Sequence, residues 1–300
     1  MSDALTIEAV DLRKRYDAVD ALAGLDLQVP RGSIYGFLGR NGAGKTTTIK
    51  ILLGMAKPTS GTARVLGADV AASAAAVDVR RRIGFVSEDK ELYDYMTVDE
   101  IVRFTASFYP RWRPDLADRY RQRFGLRPDA KVKTLSRGTR SQLALLMALC
   151  RGAELLVLDE PTSGLDPAAT EEVLQALVAH AAADGATVFF SSHQIAEVDQ
   201  IADRVAIVDR GRTVVAGALD DLRAQYRRVQ FVFDAAAPAA AFRAAGVARI
   251  ARQGRVMTVL CTAGAESVVA EARALGPVSV DVMPVTLKDI FLDTVNVEEA

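Results

Sequence analysis

The 300-residue chain is half apolar and one-quarter charged, an ordinary globular composition with enough apolar material for a large core. Its 37 basic and 38 acidic residues nearly cancel, so bulk electrostatics recruits neither nucleic acid nor an anionic membrane. No apolar run approaches the ~20 residues needed to cross a bilayer, and the two cysteines, Cys150 and Cys261, sit apart in apolar sequence as expected of buried, reduced thiols.

The N-terminus, MSDALTIEAVDLRKRY, places acids early and lacks an apolar core, so no signal peptide is expected. From there to about residue 218, strand-like runs alternate with helical spacing. The runs are 33–38 (SIYGFL), 83–87 (IGFVS), 154–158 (ELLVL), 186–191 (ATVFFS) and 204–208 (RVAIV). Segments such as 141–150 and 168–183 have helical apolar spacing between them. Alternation of this kind predicts a largely parallel sheet covered on both faces.

The first strand runs into GRNGAGKT at 39–46, which fits G-x-x-x-x-G-K-[ST] and opens the helix KTTTIKILLGM. Gly39, Gly42 and Gly44 free backbone N–H groups to wrap phosphates, and the helix N-terminus adds partial positive charge. Arg40, Asn41, Ala43 and Thr47 belong to the same loop. Lys45 supplies a point charge between the terminal phosphates, and the Thr46 hydroxyl can complete a Mg²⁺ shell.

Residues 97–125 depart from the alternation. Thr97 and Glu100 form a capping-box pattern ahead of an apolar-periodic run, and DLADRYRQRFGL follows Pro114, so a helical insertion is expected. The arginines at 80–82 and Arg119, Arg121 and Arg123 are expected on solvated faces. LSRGT at 135–139 precedes a helix, and Arg137 sits where a phosphate-binding loop might have a second glycine.

LLVLDEP at 155–161 is an apolar strand ending in two acids. At this distance beyond a phosphate loop, Asp159 is suited to Mg²⁺ and Glu160 to orienting or deprotonating a water. His193 follows the strand TVFFSS; His180, in an alanine-rich helix, is expected on a solvated face. VDRGRTVVAG at 208–217 predicts a hairpin turning at Arg210-Gly211. Beyond about 219 the pattern changes to strands in RVQFVFDA, RVMTVLC and VSVDVM, with helices expected at 239–245, 265–275 and 287–295. The alanine tracts at 71–76 and 235–241 are expected as linkers or surface helices.

Taken in order, these motifs resemble the nucleotide-binding subunit of an ATP-binding cassette (ABC) transporter, over residues 5–217. The resemblance implies an α/β P-loop NTPase fold with a β-rich N-terminal part and a helical subdomain at about 88–150, in an ATPase domain of 1–218. A small C-terminal α+β accessory domain would occupy 219–300, as in bacterial export-type members. It implies ATP and Mg²⁺ as ligands, with Tyr16 stacking on adenine and Thr46, Asp159 and Glu88 at the metal. Glu88 stands where the family has glutamine, which trades an amide donor for a harder cation ligand. Catalysis would rest on Glu160, His193, Lys45 and Glu88. Ser136 and Gly138 would touch the γ-phosphate bound by a second chain, and Asp166 would lie in the D-loop that meets His193 across the dimer. The partners implied are a membrane permease and a homodimeric or heterodimeric mate, at the cytoplasmic side of the cell membrane. A soluble family member with a non-transport role is the alternative. The long coiled coil of repair members and the second cassette of translation members are both missing from this sequence.

Overall fold

A computed structural model describes residues 4–295, without the side chains of 73–76. The chain divides into two compact units, residues 1–216 and 217–300.

The first unit opens with a long hairpin, β1 (Leu5–Tyr16) against β2 (Val19–Pro30), followed by β3 (Ile34–Gly39) and α1 (Lys45–Leu52). Strands β4 (Ser60–Val65) and β5 (Ala68–Asp69) complete an antiparallel sheet in the order β2-β1-β4-β5. Helix α2 (Ser73–Arg81) leads into β6 (Ile83–Val86), and α3 (Val98–Ala106), α4 (Pro114–Arg123) and α5 (Arg137–Leu149) form the helical region. Then come β7 (Leu155–Asp159), α6 (Pro167–Asp184), β8 (Thr187–Ser192), α7 (Ile195–Ile201), β9 (Arg204–Asp209) and β10 (Arg212–Ala218).

The second sheet runs β10-β9-β3-β8-β7-β6, and the pairs from β9 to β6 are all parallel. Its middle strands are buried on both faces, which explains their unbroken apolar runs: Leu155 to Leu158 and Val188 to Phe190 are all 0% exposed. Phe189 packs between Phe37 and Tyr35, with ring centroids 5.2 and 6.0 Å apart. The register aligns Leu38 with Ser192, Asp159 with Ser191 and Val86 with Leu158. The C-terminal ends of β3, β6, β7 and β8 therefore form one edge, where open α/β sheets bind ligands.

The helical region starts as its sequence signals. Thr97 caps α3 by accepting from the Glu100 N–H, and the Glu100 carboxylate returns a bond to the Thr97 N–H. Arg210, at φ 45°, and Gly211, at φ 72°, turn β9 into β10 as a two-residue hairpin.

The second unit contains α8 (Leu219–Gln225), β11 (Arg227–Val232), β12 (Val247–Gln253), β13 (Val256–Cys261), α9 (Ala265–Arg273), β14 (Ser279–Pro284) and α10 (Leu287–Val295). Its antiparallel sheet has the order β12-β13-β11-β14, and Val229, Phe231, Met257 and Val259 pack with Val268 and Ala272 of α9. The helix expected at 239–245 does not form. Arg252 takes the carbonyls of Pro238 and Ala240, acceptors a helix would keep for its own N–H groups, and Phe242 stacks on Phe231 instead.

Two further expectations are corrected. His180 is buried, at 3% exposure, because it lies on the buried face of α6 with Val173, Ala176 and Leu177; the Tyr120 hydroxyl donates to the Ala176 carbonyl beside it. Arg82 is not a freely solvated charge; it forms a two-pronged pair with Glu154, at 2.9 and 2.8 Å. Cys150 and Cys261 are free and buried, and burial pushes the Cys150 thiol up to about 12.

Candidate functional site

Between β3 and α1, the loop at 39–46 closes around an open cleft of about 420 Å³. Gly42, at φ 82°, and Gly44, at φ 105°, need backbone conformations that side chains disfavour. A Cβ on Gly44 would also lie 2.7 Å from the Ala21 carbonyl. The loop is held from behind by the β9–β10 turn, where the Gly211 N–H donates to the Ala43 carbonyl at 3.0 Å. The cleft is lined by Asn41, Gly42, Gly44, Lys45, Thr46, Thr47, Glu88 and Glu160, joined by Val19, Asp20 and Ala21 of β2 and its turn. Those last three carry no motif signal; only the folding of the hairpin over the loop places them.

Lys45 is 7% exposed, and its ammonium donates to the Gly39 carbonyl at 2.8 Å and the Arg40 carbonyl at 3.3 Å. It also lies 3.2 Å from Oε1 of Glu160. Oε2 of the same carboxylate is 2.8 Å from Nδ1 of His193. The register explains this meeting: Asp159 ends β7 opposite Ser191, and the Ser191 hydroxyl donates to Asp159 Oδ1 at 2.6 Å. That hydroxyl oxygen accepts from the Glu160 N–H at 3.0 Å, so Ser191 fixes both acids.

Gly39, Arg40 and Ala43 lie in the loop without lining the cleft, and Asp159 lies behind Glu160. Tyr16 is exposed at the β1–β2 turn; its register partner Val19 lines the cleft, and the Lys14 ammonium sits 4.6 Å from the Tyr16 ring. Ser136 and Gly138 do not line this chain's cleft. Ser136 caps α5 by accepting from the Thr139 N–H at 3.1 Å, so Arg137 is the first helical residue and takes an ordinary backbone conformation. Its guanidinium lies where Gly164, at φ 72°, leaves room for it: a Cβ there would be 2.6 Å from Cζ. A Cβ on Gly138 would meet nothing closer than 3.8 Å, so nothing within this chain requires glycine at that position.

The donor set fits a triphosphate with a hard cation. Thr46, Asp159 and Glu88 offer oxygen ligands, the type Mg²⁺ takes. Among the described residues no three of His, Cys, Asp and Glu converge as a self-sufficient metal site. Mg²⁺ commonly completes its shell from phosphate and water, which suits so sparse a protein contribution.

A family model described as "ABC transporter" matches residues 22–163. The chain is 36% identical over 224 residues to the bacitracin transport ATP-binding protein BcrA of Bacillus licheniformis, covering 74% of this chain and 72% of that one. It is 39% identical over 223 residues to the daunorubicin/doxorubicin resistance ATP-binding protein DrrA of Streptomyces peucetius, covering 72% of this chain and 66% of that one. A solved structure described as an ATP-binding subunit of an ABC transporter superposes with a TM-score of 0.66 at 30% identity, over 74% of this chain and 93% of that one.

Proposed function

The chain belongs to the ABC transporter family and is an ATPase, and from that premise we propose that it powers an exporter whose membrane-spanning part is a separate chain. The observation that carries the proposal is the convergence of Lys45, Glu160 and His193 at the edge of the parallel sheet, beside a cleft walled by the phosphate loop.

ATP would seat its phosphates on the N–H groups of the 39–46 loop and the N-terminus of α1. Thr46 and Asp159 would hold Mg²⁺, with Glu88 facing the same space. The cation would supply neutralisation of the charge that builds on the β- and γ-phosphate oxygens. Glu160 takes the proton of the attacking water as its oxygen adds in line to the γ-phosphorus; the bond to the bridging oxygen breaks, leaving ADP and phosphate. Lys45 leaves the loop carbonyls for the phosphates, and His193 holds Glu160 in line. Positioning and charge stabilisation supply most of the acceleration in this chemistry.

The site is half of a larger one. Ser136 is exposed at the tip of α5, and the missing side chain at Gly138 suits close approach of another molecule's phosphate. A second copy, or a related ATPase, would place its cleft there, so that two chains enclose two ATP molecules.

No helix among the described residues is long and apolar enough to cross a membrane, so the proposed transport path lies in a permease on which this chain sits at the cytoplasmic face. A ladder of exposed aromatics on the helical region supports such docking. Tyr95, Tyr93, Phe104 and Phe108 follow one another at centroid distances of 5.8, 5.7 and 5.0 Å. The transport and resistance functions named for BcrA and DrrA support export as the direction. The test is joint: Mg²⁺-dependent ATP hydrolysis by the purified chain, and co-purification from detergent with a multi-spanning membrane protein. No hydrolysis, or a wholly soluble partner set, would contradict the proposal.

A further inference from the structure

No motif singles out Lys90, yet it is the lysine most tightly tied to the proposed hydrolytic centre after Lys45. It lies in the loop between β6 and α3, has a left-handed backbone at φ 47°, and is 5% exposed. Lysine is seldom buried so far without partners. Its ammonium donates to the carbonyl of Glu88 and to the carbonyl of Glu160, each at 3.2 Å.

Glu160 shares the left-handed conformation, also at φ 47°. For a residue with a Cβ this conformation persists only where surrounding bonds impose it. The bonds are present. The Glu160 N–H is held by Ser191 of β8, and its carbonyl accepts from the Ser163 N–H at 3.1 Å and from Lys90. One of these anchors belongs to the loop that carries Glu88. The direction of the carboxylate follows from the peptide planes on either side of it, so an anchor on the carbonyl also aims the side chain.

We propose that Lys90 is a positioning residue for hydrolysis: it locks the backbone of Glu160 and makes the aim of that carboxylate depend on where the 87–92 loop sits. The inference rests on the reading of Glu160 as the group that activates water. Lys90 does not touch the cleft, so its loss should act on turnover and leave nucleotide affinity alone.

The test is a double-mutant cycle in the full-length chain, reading ATP turnover and the Kd of a fluorescent ATP analogue. Lys90→Met keeps the length of the stem and removes the donors. It should lower kcat about tenfold, as expected of a misaimed catalytic group, with Kd and KM within twofold of wild type. Adding Lys90→Met to Glu160→Gln should cost less than twofold further, because the two residues act as a unit. Turnover of Lys90→Met within twofold of wild type, a parallel weakening of Kd, or a further tenfold loss in the double variant would each overturn the proposal. If the methionine variant does not fold, Lys90→Gln, too short to span both carbonyls, gives the same readings. Glu160→Gln alone separates the two levels: wild-type turnover there would overturn the reading of Glu160 itself.

Discussion

Nδ1 of His193 lies 2.8 Å from Oε2 of Glu160, on the carboxylate oxygen not taken by the Lys45 ammonium. The two partners of Glu160 differ in exposure: the His193 side chain is 43% exposed and that of Lys45 only 7%. His193 can therefore be reached by a docked partner while it still holds Glu160. In the proposed mechanism it orients the acid and does not carry the proton away. His193→Ala should lower turnover about 10²-fold, the scale expected when a catalytic group is misplaced, with nucleotide affinity nearly unchanged. Steady-state kinetics beside equilibrium binding of an ATP analogue checks this; weakened binding with normal turnover would contradict it.

Lys45 should behave in the opposite sense. Its bonds to the Gly39 and Arg40 carbonyls would be exchanged for phosphate oxygens, a charge-assisted contact of about 1.5–3 kcal/mol. Lys45→Ala is expected to weaken binding of a labelled ATP analogue by about 10–100-fold. Unchanged affinity would contradict the phosphate assignment of the loop.

Two aromatic substitutions separate core from docking surface. Phe189 is fully buried between Phe37 and Tyr35, so Phe189→Ala should cost about 3–5 kcal/mol, read as a lowered denaturation midpoint. Tyr95 is 69% exposed, so Tyr95→Ser should change stability by no more than about 0.5 kcal/mol. Its effect is expected in weakened co-purification with the membrane partner. A large stability loss for Tyr95→Ser would return the aromatic ladder to the core.

Acid should destabilise the fold in part through His180. Burial holds its imidazole below the ordinary histidine range; Asp184, with Oδ2 at 3.1 Å from Nδ1, opposes that shift and Arg113 adds to it. The unfolded chain therefore takes up the proton first. Stability from this group is intact above about pH 6.5 and falls as pH drops through that value. His180→Gln should flatten the slope of the urea midpoint against pH between about 5 and 6.5. An unchanged slope would show that other groups set it.

The phosphate loop, the acid pair and His193 were legible because each sits where a buried parallel strand ends. There the apolar run stops abruptly, and polar residues must face the ligand edge. What sequence missed depends on contacts distant in the chain. His180 reads as solvated in its alanine-rich surroundings, and only its place on the packed face of α6 removes it from solvent. The 239–245 segment has helix-forming composition, but Arg252, about a dozen residues on, takes its carbonyls. Lys90 bonds to a residue 70 positions away and carries no local pattern. Arg137 lies over Gly164, 27 positions on, a neighbour that no local pattern announces. The conformation of its backbone also shows why the missing glycine is tolerated: position 137 begins a helix.

The central claim is that Glu160 activates the water that attacks ATP, and single-turnover hydrolysis by Glu160→Gln tests it most directly. The substitution keeps shape and removes the base, so cleavage of bound ATP should slow by about 10²–10⁴-fold while the nucleotide stays bound. Cleavage at the wild-type rate, with ATP bound equally well, would contradict the account.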